Sequence, residues 1–372
     1  MKLLSFIESG LQQILPDRTD FSARGSIKSA LPIFKFLRLT LSALFIILAM
    51  ASAVPPGLAA TDGKVSGTFI QLNRANASWP VERWKNLFKN MQNIKIDTVI
   101  IQWSAEEPVL YFKDKDLPFN EQYDALERLM EAAQGFDLSI FLGLQNDPAY
   151  WNEITGRDKV LRDYFLVRRA KNEHLQASLL NKFGNRANWA GYYIPDEIDD
   201  LSWRENKRRD IFKNYLKQTI ESIRNKDTKR PIAISAFFRT RTAPSVFTNM
   251  LFNLTDNIGL DYLLLQDGAG NNDPPLDVTP MYYRALSAKG QERAPEIWIV
   301  LEAFRQTSGQ IKEFSAEPAR ADDFLRQIQV TDGFKRRILF AFPDYVDPDL
   351  GPAAQALYKI LGGHYCPPEK QE

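Results

Sequence analysis

Eight short apolar segments recur along the chain from residue 67 onward, separated by longer amphipathic segments. The eight segments are 67–71, 97–103, 138–145, 189–194, 231–238, 261–266, 296–301 and 337–342. Their nearly continuous β-branched and aromatic residues are typical of parallel strands buried on both faces. Apolar residues at helical spacing lie between them, for example in 80–92, 120–134, 204–225 and 321–328. The alternation predicts a single (β/α)8 TIM barrel.

A doubly wound parallel sheet is the alternative architecture. Such a sheet typically carries a glycine-rich phosphate-binding turn. The chain has neither the G-x-G-x-x-G turn nor a P-loop, and no linker or internal repeat divides it. We therefore expect one barrel domain over residues 61–372.

The first 60 residues are predicted to lie outside this barrel. Residues 39–54 form an uncharged apolar run of about 16 residues, with Lys28, Lys35 and Arg38 before it and small residues after it. These are the features of a secretory signal, and the run is shorter than the ~20 residues of a typical spanning helix. We expect 1–38 to be a disordered leading region and 39–60 a cleaved signal peptide or an inner-membrane anchor. The barrel would then be periplasmic or secreted.

The composition argues against several chemistries. The 372 residues include 47 Lys+Arg and 46 Asp+Glu, a net charge of +1, whereas nucleic-acid binders concentrate basic residues. With 2 His and 1 Cys, the chain is short of ligands for a His-rich zinc site, an Fe–S cluster or a disulfide scaffold. We expect no cofactor and no nucleic-acid partner, and chemistry carried by carboxylates, amides, hydroxyls and aromatic rings.

Two glutamates stand out at the carboxyl ends of the predicted strands, where TIM barrels carry their active sites. Glu197 follows strand four and Glu302 ends strand seven, so the two can face each other across the barrel mouth. Glycoside hydrolysis needs such a pair, one group protonating the leaving oxygen and the other attacking the anomeric carbon or activating water. The residues predicted to contact substrate are Gln71, Gln102, Trp103, Gln145, Tyr193, Asp196, Phe238, Gln266, Asp267, Arg305 and Tyr345.

Structural roles are the alternative for these residues. A strand-end carboxylate often caps a helix or pairs with an arginine, and Arg305 is the nearest partner for Glu302. Asp267 lies in the sequence QDGAG, where an aspartate often serves a turn. His174 and His364 lie away from strand ends, which argues against a Ser-His-Asp triad.

Five segments carry a resemblance to known families: GTFIQ (67–71), IIQWS (100–104), GYYIPDEID (191–199), LLQDGAG (264–270) and VLEAF (300–304). With them the chain resembles a group of bacterial glycosidase-like barrels labelled as a domain of unknown function. It also resembles the clan of retaining TIM-barrel glycoside hydrolases, whose acid/base follows strand four and whose nucleophile ends strand seven. The resemblance implies that Glu197 is the acid/base and Glu302 the nucleophile. The clan usually has Asn before its acid/base, whereas this chain has Asp196.

The primary hypothesis is an exported glycoside hydrolase, or a lyase-like carbohydrate enzyme, acting on a bacterial polysaccharide. A catalytically silent barrel that binds polysaccharide, or scaffolds its synthesis and export, is the alternative, motivated by Asp196 and by the anchor-like segment. A third reading places a hard cation among Asp267, Glu197 and Glu302 and makes the protein a metal-assisted hydrolase. No metal site is predicted in the primary hypothesis.

Overall fold

Eight parallel strands close into a barrel in the computed structural model, which describes residues 65–272, 275–289, 295–308 and 314–363. The strands are β1 (Val65–Ile70), β2 (Thr98–Ile101), β3 (Ser139–Gly143), β4 (Trp189–Ile198), β5 (Ile232–Phe237), β6 (Tyr262–Gln266), β7 (Glu296–Glu302) and β8 (Arg337–Phe340). They pair in sequence order, and β1 closes the barrel by pairing with β8. The predicted TIM barrel is confirmed, and each of the eight predicted segments overlaps one of its strands.

Helices follow the strands around the outside of the barrel. They are α1 (Val81–Asn93), α2 (Ala125–Ala132), α3 (Tyr150–Glu153), α4 (Asp158–Phe183), α5 (Asn206–Lys226), α6 (Pro244–Thr255), α7 (Thr279–Ala288), α8 (Ala321–Val330), α9 (Phe342–Tyr345) and α10 (Pro352–Leu361). The helix predicted over 120–134 is wrong at its start, because Glu121–Gln122 forms a short strand instead. That strand belongs to a small four-stranded sheet with Val109–Leu110, Ala105–Glu106 and Gln145–Asn146.

Two apolar layers hold the fold together. The inner layer fills the barrel with side chains such as Phe69, Phe141 and Trp298, all at most 3% exposed. The outer layer packs the other face of each strand against the helices. Because side chains alternate along a strand, each strand residue belongs to one layer or the other. This alternation decides which rim residues reach the barrel mouth.

The leading region, the signal or anchor segment and His364 lie outside the described residues. Within the described ranges, no helix is both long and apolar enough to cross a membrane.

Candidate active site

Glu197 occupies the inner face of β4 at the mouth of the barrel. The strand continues past Ile194 with an irregular register against β5 and pairs again at Ile198. Glu197 therefore shares the inner face with Tyr193, which lies four residues earlier in the interior layer. The glutamate side chain is buried, and Nε2 of Gln266 donates a hydrogen bond of 2.7 Å to its Oε1. The predicted rim residue Gln266 thus fixes the orientation of the Glu197 carboxyl group.

Glu302 is the last residue of β7 and is held by three hydrogen bonds. Its Oε2 accepts the backbone N–H of Gly270 at 2.8 Å. Its own N–H donates to Oδ1 of Asp267 at 3.3 Å, and its carbonyl oxygen accepts Nε2 of Gln327 at 3.2 Å. These bonds connect the glutamate to the loop after β6 and to helix α8. The backbone of Glu302 is therefore held from two sides, and its carboxylate is held by Gly270.

Burial perturbs both glutamates. It raises the pKa of Glu197 to about 7, and the charge on Glu302 raises that pKa further, while the amide of Gln266 opposes the rise. Burial also raises the pKa of Glu302 to about 7, opposed by the N–H of Gly270 and by the charge on Arg239. Both carboxyl groups thus have a pKa near neutrality, and the like charge of Glu302 acts on Glu197 in addition to its burial.

Arg239 supplies the positive charge next to this pair. It lies two residues after the end of β5 and is half-buried, and its charge lowers the pKa of both glutamates. The backbone around it is held by Asp200, whose carboxylate accepts the N–H of Arg239 at 3.2 Å, of Arg241 at 3.0 Å and of Thr242 at 3.1 Å. Sequence reasoning missed Arg239, although its position just after a predicted strand was a usable signal.

The loop after β6 forms the support of Glu302. Gly268 adopts a φ of +67°, in the left-handed region that favours glycine, and the turn Ala269–Asn271 follows. A Cβ at Gly270 would lie 2.4 Å from a ring carbon of Phe304, so only glycine fits there without a shift. Asp267 is fully buried, and its Oδ1 accepts the N–H of Ala269 at 3.2 Å. Asp267 therefore supports the turn through Oδ1, while its buried Oδ2 has no hydrogen-bond partner among the described residues.

Three glutamines were predicted to bind substrate, and the structure separates them. Gln71 donates through Nε2 to Oε1 of Gln102 at 2.6 Å, so the ends of β1 and β2 present a linked amide pair. Gln145 instead donates to Oε1 of Glu107 at 2.9 Å, within the small sheet beyond β3. Its side chain is thus committed to a neighbouring loop.

Three other predicted contacts are wrong because the side chains belong to the outer layer. Trp103 is 2% exposed and donates through Nε1 to the carbonyl oxygen of Leu72. Phe238 is fully buried and stacks on Tyr282 at 4.1 Å between ring centroids. Neither ring is accessible to a sugar.

Asp196 is the third predicted substrate contact whose side chain belongs to the outer layer. It is 1% exposed, its Oδ1 lies 2.7 Å from a guanidinium nitrogen of Arg168, and its Oδ2 accepts the hydroxyl of Tyr215 at 2.5 Å. Because it faces the helices, it replaces the clan's asparagine by an internal ion pair. Glu302, and not Asp196, is the acidic neighbour whose charge raises the pKa of Glu197.

Tyr193, Tyr345 and Arg305 complete the predicted set. Tyr193 lies inside the barrel and donates to Oγ of Ser235 at 2.8 Å, so it supports Glu197 from below and contacts no substrate. Tyr345 packs against Phe304 at 5.3 Å between ring centroids, and burial, with the charges on Asp344 and Glu302, raises its pKa. Arg305 is exposed and pairs with Glu317, not with Glu302.

An aromatic wall beside Arg239 was also missed. Phe237, the last residue of β5, is half-buried and meets Trp151 edge-on at 5.5 Å between centroids. The Arg239 guanidinium lies 5.7 Å from the Phe237 centroid. The sequence prediction chose Phe238, one position away, and a shift of one residue moves a strand side chain to the opposite face. Strict alternation from the interior position Ala233 would have selected Phe237.

The described residues contain no group of three or more His, Cys, Asp or Glu side chains placed to hold a metal ion. In the trio named for a cation, Asp267 turns its Oδ1 to backbone N–H groups, and both glutamates accept hydrogen bonds from an amide or the main chain.

Comparison with known sequences places the chain in a family. The model for the domain of unknown function DUF4434 matches residues 65–351, and the chain belongs to this family. The uncharacterized protein YbcH of Escherichia coli (strain K12) is 28% identical over 236 residues, which are 63% of this chain and 75% of that protein.

Solved structures share the barrel. The putative alpha-L-fucosidase of Bacteroides thetaiotaomicron VPI-5482 superimposes with a TM-score of 0.65 at 16% identity, covering 81% of this chain and 95% of that chain. A beta-galactosidase from Marinomonas ef1 gives a TM-score of 0.50 at 11% identity, covering 80% of this chain and 59% of that chain. At these identities the likeness establishes the glycosidase-like TIM-barrel fold.

Proposed function

We propose that this protein is an exported, retaining glycoside hydrolase that acts on a bacterial polysaccharide. The observation that carries the proposal is the pair of buried glutamates on the inner ends of β4 and β7, close enough for the charge on Glu302 to raise the pKa of Glu197. Two perturbed carboxyl groups at the carboxyl-end mouth of a TIM barrel are the constellation that glycoside hydrolysis uses. The glycosidases among the structural neighbours make a carbohydrate the favoured substrate class.

The strand positions of the two glutamates divide the roles, since the retaining clan that the sequence resembles has its acid/base at strand four and its nucleophile at strand seven. Glu197 would donate its proton to the glycosidic oxygen as the bond to the anomeric carbon breaks. Glu302, fixed by Gly270, would attack the anomeric carbon and form a glycosyl ester. Water, deprotonated by Glu197, would then cleave that ester and restore both groups. The sugar would lie between the Gln71–Gln102 amide pair and the Phe237 wall.

Export is part of the proposal and rests on the apolar run at 39–54 behind Lys28, Lys35 and Arg38. Fractionation of the producing cell and sequencing of the mature N-terminus test it. A barrel recovered in the cytoplasm with an intact N-terminus contradicts export while leaving the chemistry open.

The chemistry is tested on the full-length protein with Glu302→Gln and the control Glu131→Gln, which changes an exposed side chain on α2. Glu302→Gln is expected to lower turnover of a cleaved polysaccharide at least ~10³-fold while the circular dichroism spectrum is unchanged. A 2-deoxy-2-fluoroglycoside with an activated leaving group should label Glu302 covalently, as mass spectrometry of a peptic digest can show. Unchanged turnover by Glu302→Gln, or a label on another residue, contradicts the assignment.

A catalytically silent, polysaccharide-binding barrel is the second candidate. The observation that favours it is the ion pair of Asp196 with Arg168, which leaves no polar side chain from that position for the sugar. Glycan binding without cleavage, equal in wild type, Glu197→Gln and Glu302→Gln, identifies this case.

A further inference from the structure

A cavity of about 520 Å³ lies beside the loop that holds Glu302. Gly270, whose N–H binds the Glu302 carboxylate, and Phe304 form one wall of this cavity, and Gln327, which also lines it, donates to the carbonyl oxygen of Glu302. The volume lies within the range of small-molecule sites, about 300–1,000 Å³. The cavity therefore adjoins the nucleophile and can hold a sugar residue.

The lining is predominantly polar. Amide side chains of Asn272, Gln306 and Gln327 contribute to it, with the single aromatic ring of Phe304 among its lining residues. Amides and one ring are typical of sites that bind hydroxyl-rich ligands with one apolar face. A carbohydrate fits this lining better than an apolar ligand does.

The three guanidinium groups in the lining differ in their partners. Arg305 pairs with Glu317 on the neighbouring strand, and Nε of Arg320 lies 3.9 Å from a carboxylate oxygen of Asp323. Arg326, on α8, has no carboxylate within 4.0 Å among the described residues. A guanidinium binds a carboxylate or sulfate through two parallel N–H donors. The carboxylates of Asp277 and Asp323 also line the cavity, so three guanidinium groups face two carboxylates there, and the exposed Arg326 is the cation left for an anion.

We propose that this cavity binds an acidic sugar residue of the substrate, a uronate or a sulfated hexose, with Arg326 taking its anionic group. The inference rests on the proposed function, because it names the class of polysaccharide on which the glutamates act. An occupant would also pack against the Gly270–Phe304 wall, so a bound acidic branch supports the loop that positions Glu302.

The test measures binding, not cleavage, on the full-length Glu197→Gln protein, which the proposed mechanism makes unable to cleave natural linkages. The probes are oligosaccharides of galacturonate, glucuronate and mannuronate, each compared with its own methyl ester, and a galactose 6-sulfate oligosaccharide compared with its desulfated form. Each pair differs in charge and keeps the linkage. Calorimetric titration is expected to show at least one charged form binding 10-fold or more tightly than its neutral partner, with affinity falling as salt rises.

Arg326→Gln should abolish that preference, Arg326→Lys should restore part of it, and Arg162→Gln, which changes an exposed arginine on α4, should leave it unchanged. Equal binding of charged and neutral forms throughout the panel overturns the proposal, as does an Arg326→Gln protein that keeps the preference. Because binding is measured without turnover, an inactive wild-type protein that still prefers the charged probe contradicts the hydrolase and not the acidic-sugar site.

Discussion

Gln266 donates a hydrogen bond of 2.7 Å from its amide to Oε1 of Glu197, which joins the end of β6 to the inner face of β4. The bond favours the charged carboxylate and therefore limits how far burial can raise its pKa. The amide thus adjusts the acid strength of the group assigned as proton donor.

Gln266→Met removes this donor at similar volume. The pKa of Glu197 should rise, because the charged form loses a stabilising hydrogen bond worth about one pKa unit. Glu197 must be protonated to act as the acid, so the alkaline limb of the kcat/KM profile should move to higher pH. Gln218→Met, which removes an amide on α5, is the control and should leave the profile in place. An unmoved limb in Gln266→Met contradicts the role of the hydrogen bond.

Gly270→Ala tests the support of Glu302. The new Cβ would lie 2.4 Å from a ring carbon of Phe304, and moving the loop would displace the N–H that binds Glu302. We expect about 1–3 kcal/mol of lost stability, typical of overpacking, and a fall in kcat larger than any change in KM. Gly135→Ala, where nothing lies within 4 Å of the added Cβ, should be close to neutral. Thermal unfolding measures the stability of both variants, and steady-state kinetics measures their kcat and KM. A normal kcat in Gly270→Ala argues against a role of Gly270 in positioning Glu302.

Asp196→Asn restores the residue type usual in the retaining clan but disrupts the buried pair with Arg168. Because it leaves an uncompensated guanidinium that is 1% exposed, we expect the protein to lose about 3 kcal/mol and to gain no activity. Urea unfolding, with Asp210→Asn on the exposed face of α5 as the control, measures this loss. A stable Asp196→Asn protein with higher turnover shows instead that the side chain can reach substrate.

The raised pKa of Glu197 makes stability depend on pH. The value rises from 4.5 to about 7 on folding, so the folded state binds the proton more tightly between these pH values. Tighter proton binding by Glu197 therefore stabilises the folded state fully below pH 4.5. This stabilisation is about 3 kcal/mol for the full shift and is lost as the pH rises to about 7. Glu197→Gln lacks the titrating group.

The Glu197→Gln protein should therefore gain stability relative to wild type as the pH rises from 4.5 to 7, in urea unfolding at each pH. Glu131→Gln, exposed on α2, should run parallel to wild type. A difference between Glu197→Gln and wild type that stays constant with pH contradicts the raised pKa.

The sequence by itself determined the barrel and the strands that carry the two glutamates. Continuous apolar runs such as 261–266 identify the strands, because a strand that is buried on both faces tolerates few polar residues on either face. Glu197 and Glu302 were found because strand order places the ends of β4 and β7 at one mouth. Position along the chain was sufficient for both inferences.

Only the tertiary structure decided which side chains face that mouth and what they contact. Phe237, and not Phe238, lies on the inner face of β5, because neighbours on a strand point to opposite faces. In the same way Asp196 contacts Arg168 in the outer layer, whereas Glu197 lies on the inner face with Glu302. The irregular end of β4, which sets these orientations, has no signature in the sequence. Arg239 and Gly270 act through partners 30 or more residues away. Such contacts depend on barrel closure, which brings distant strand ends within hydrogen-bonding distance and which no local pattern encodes.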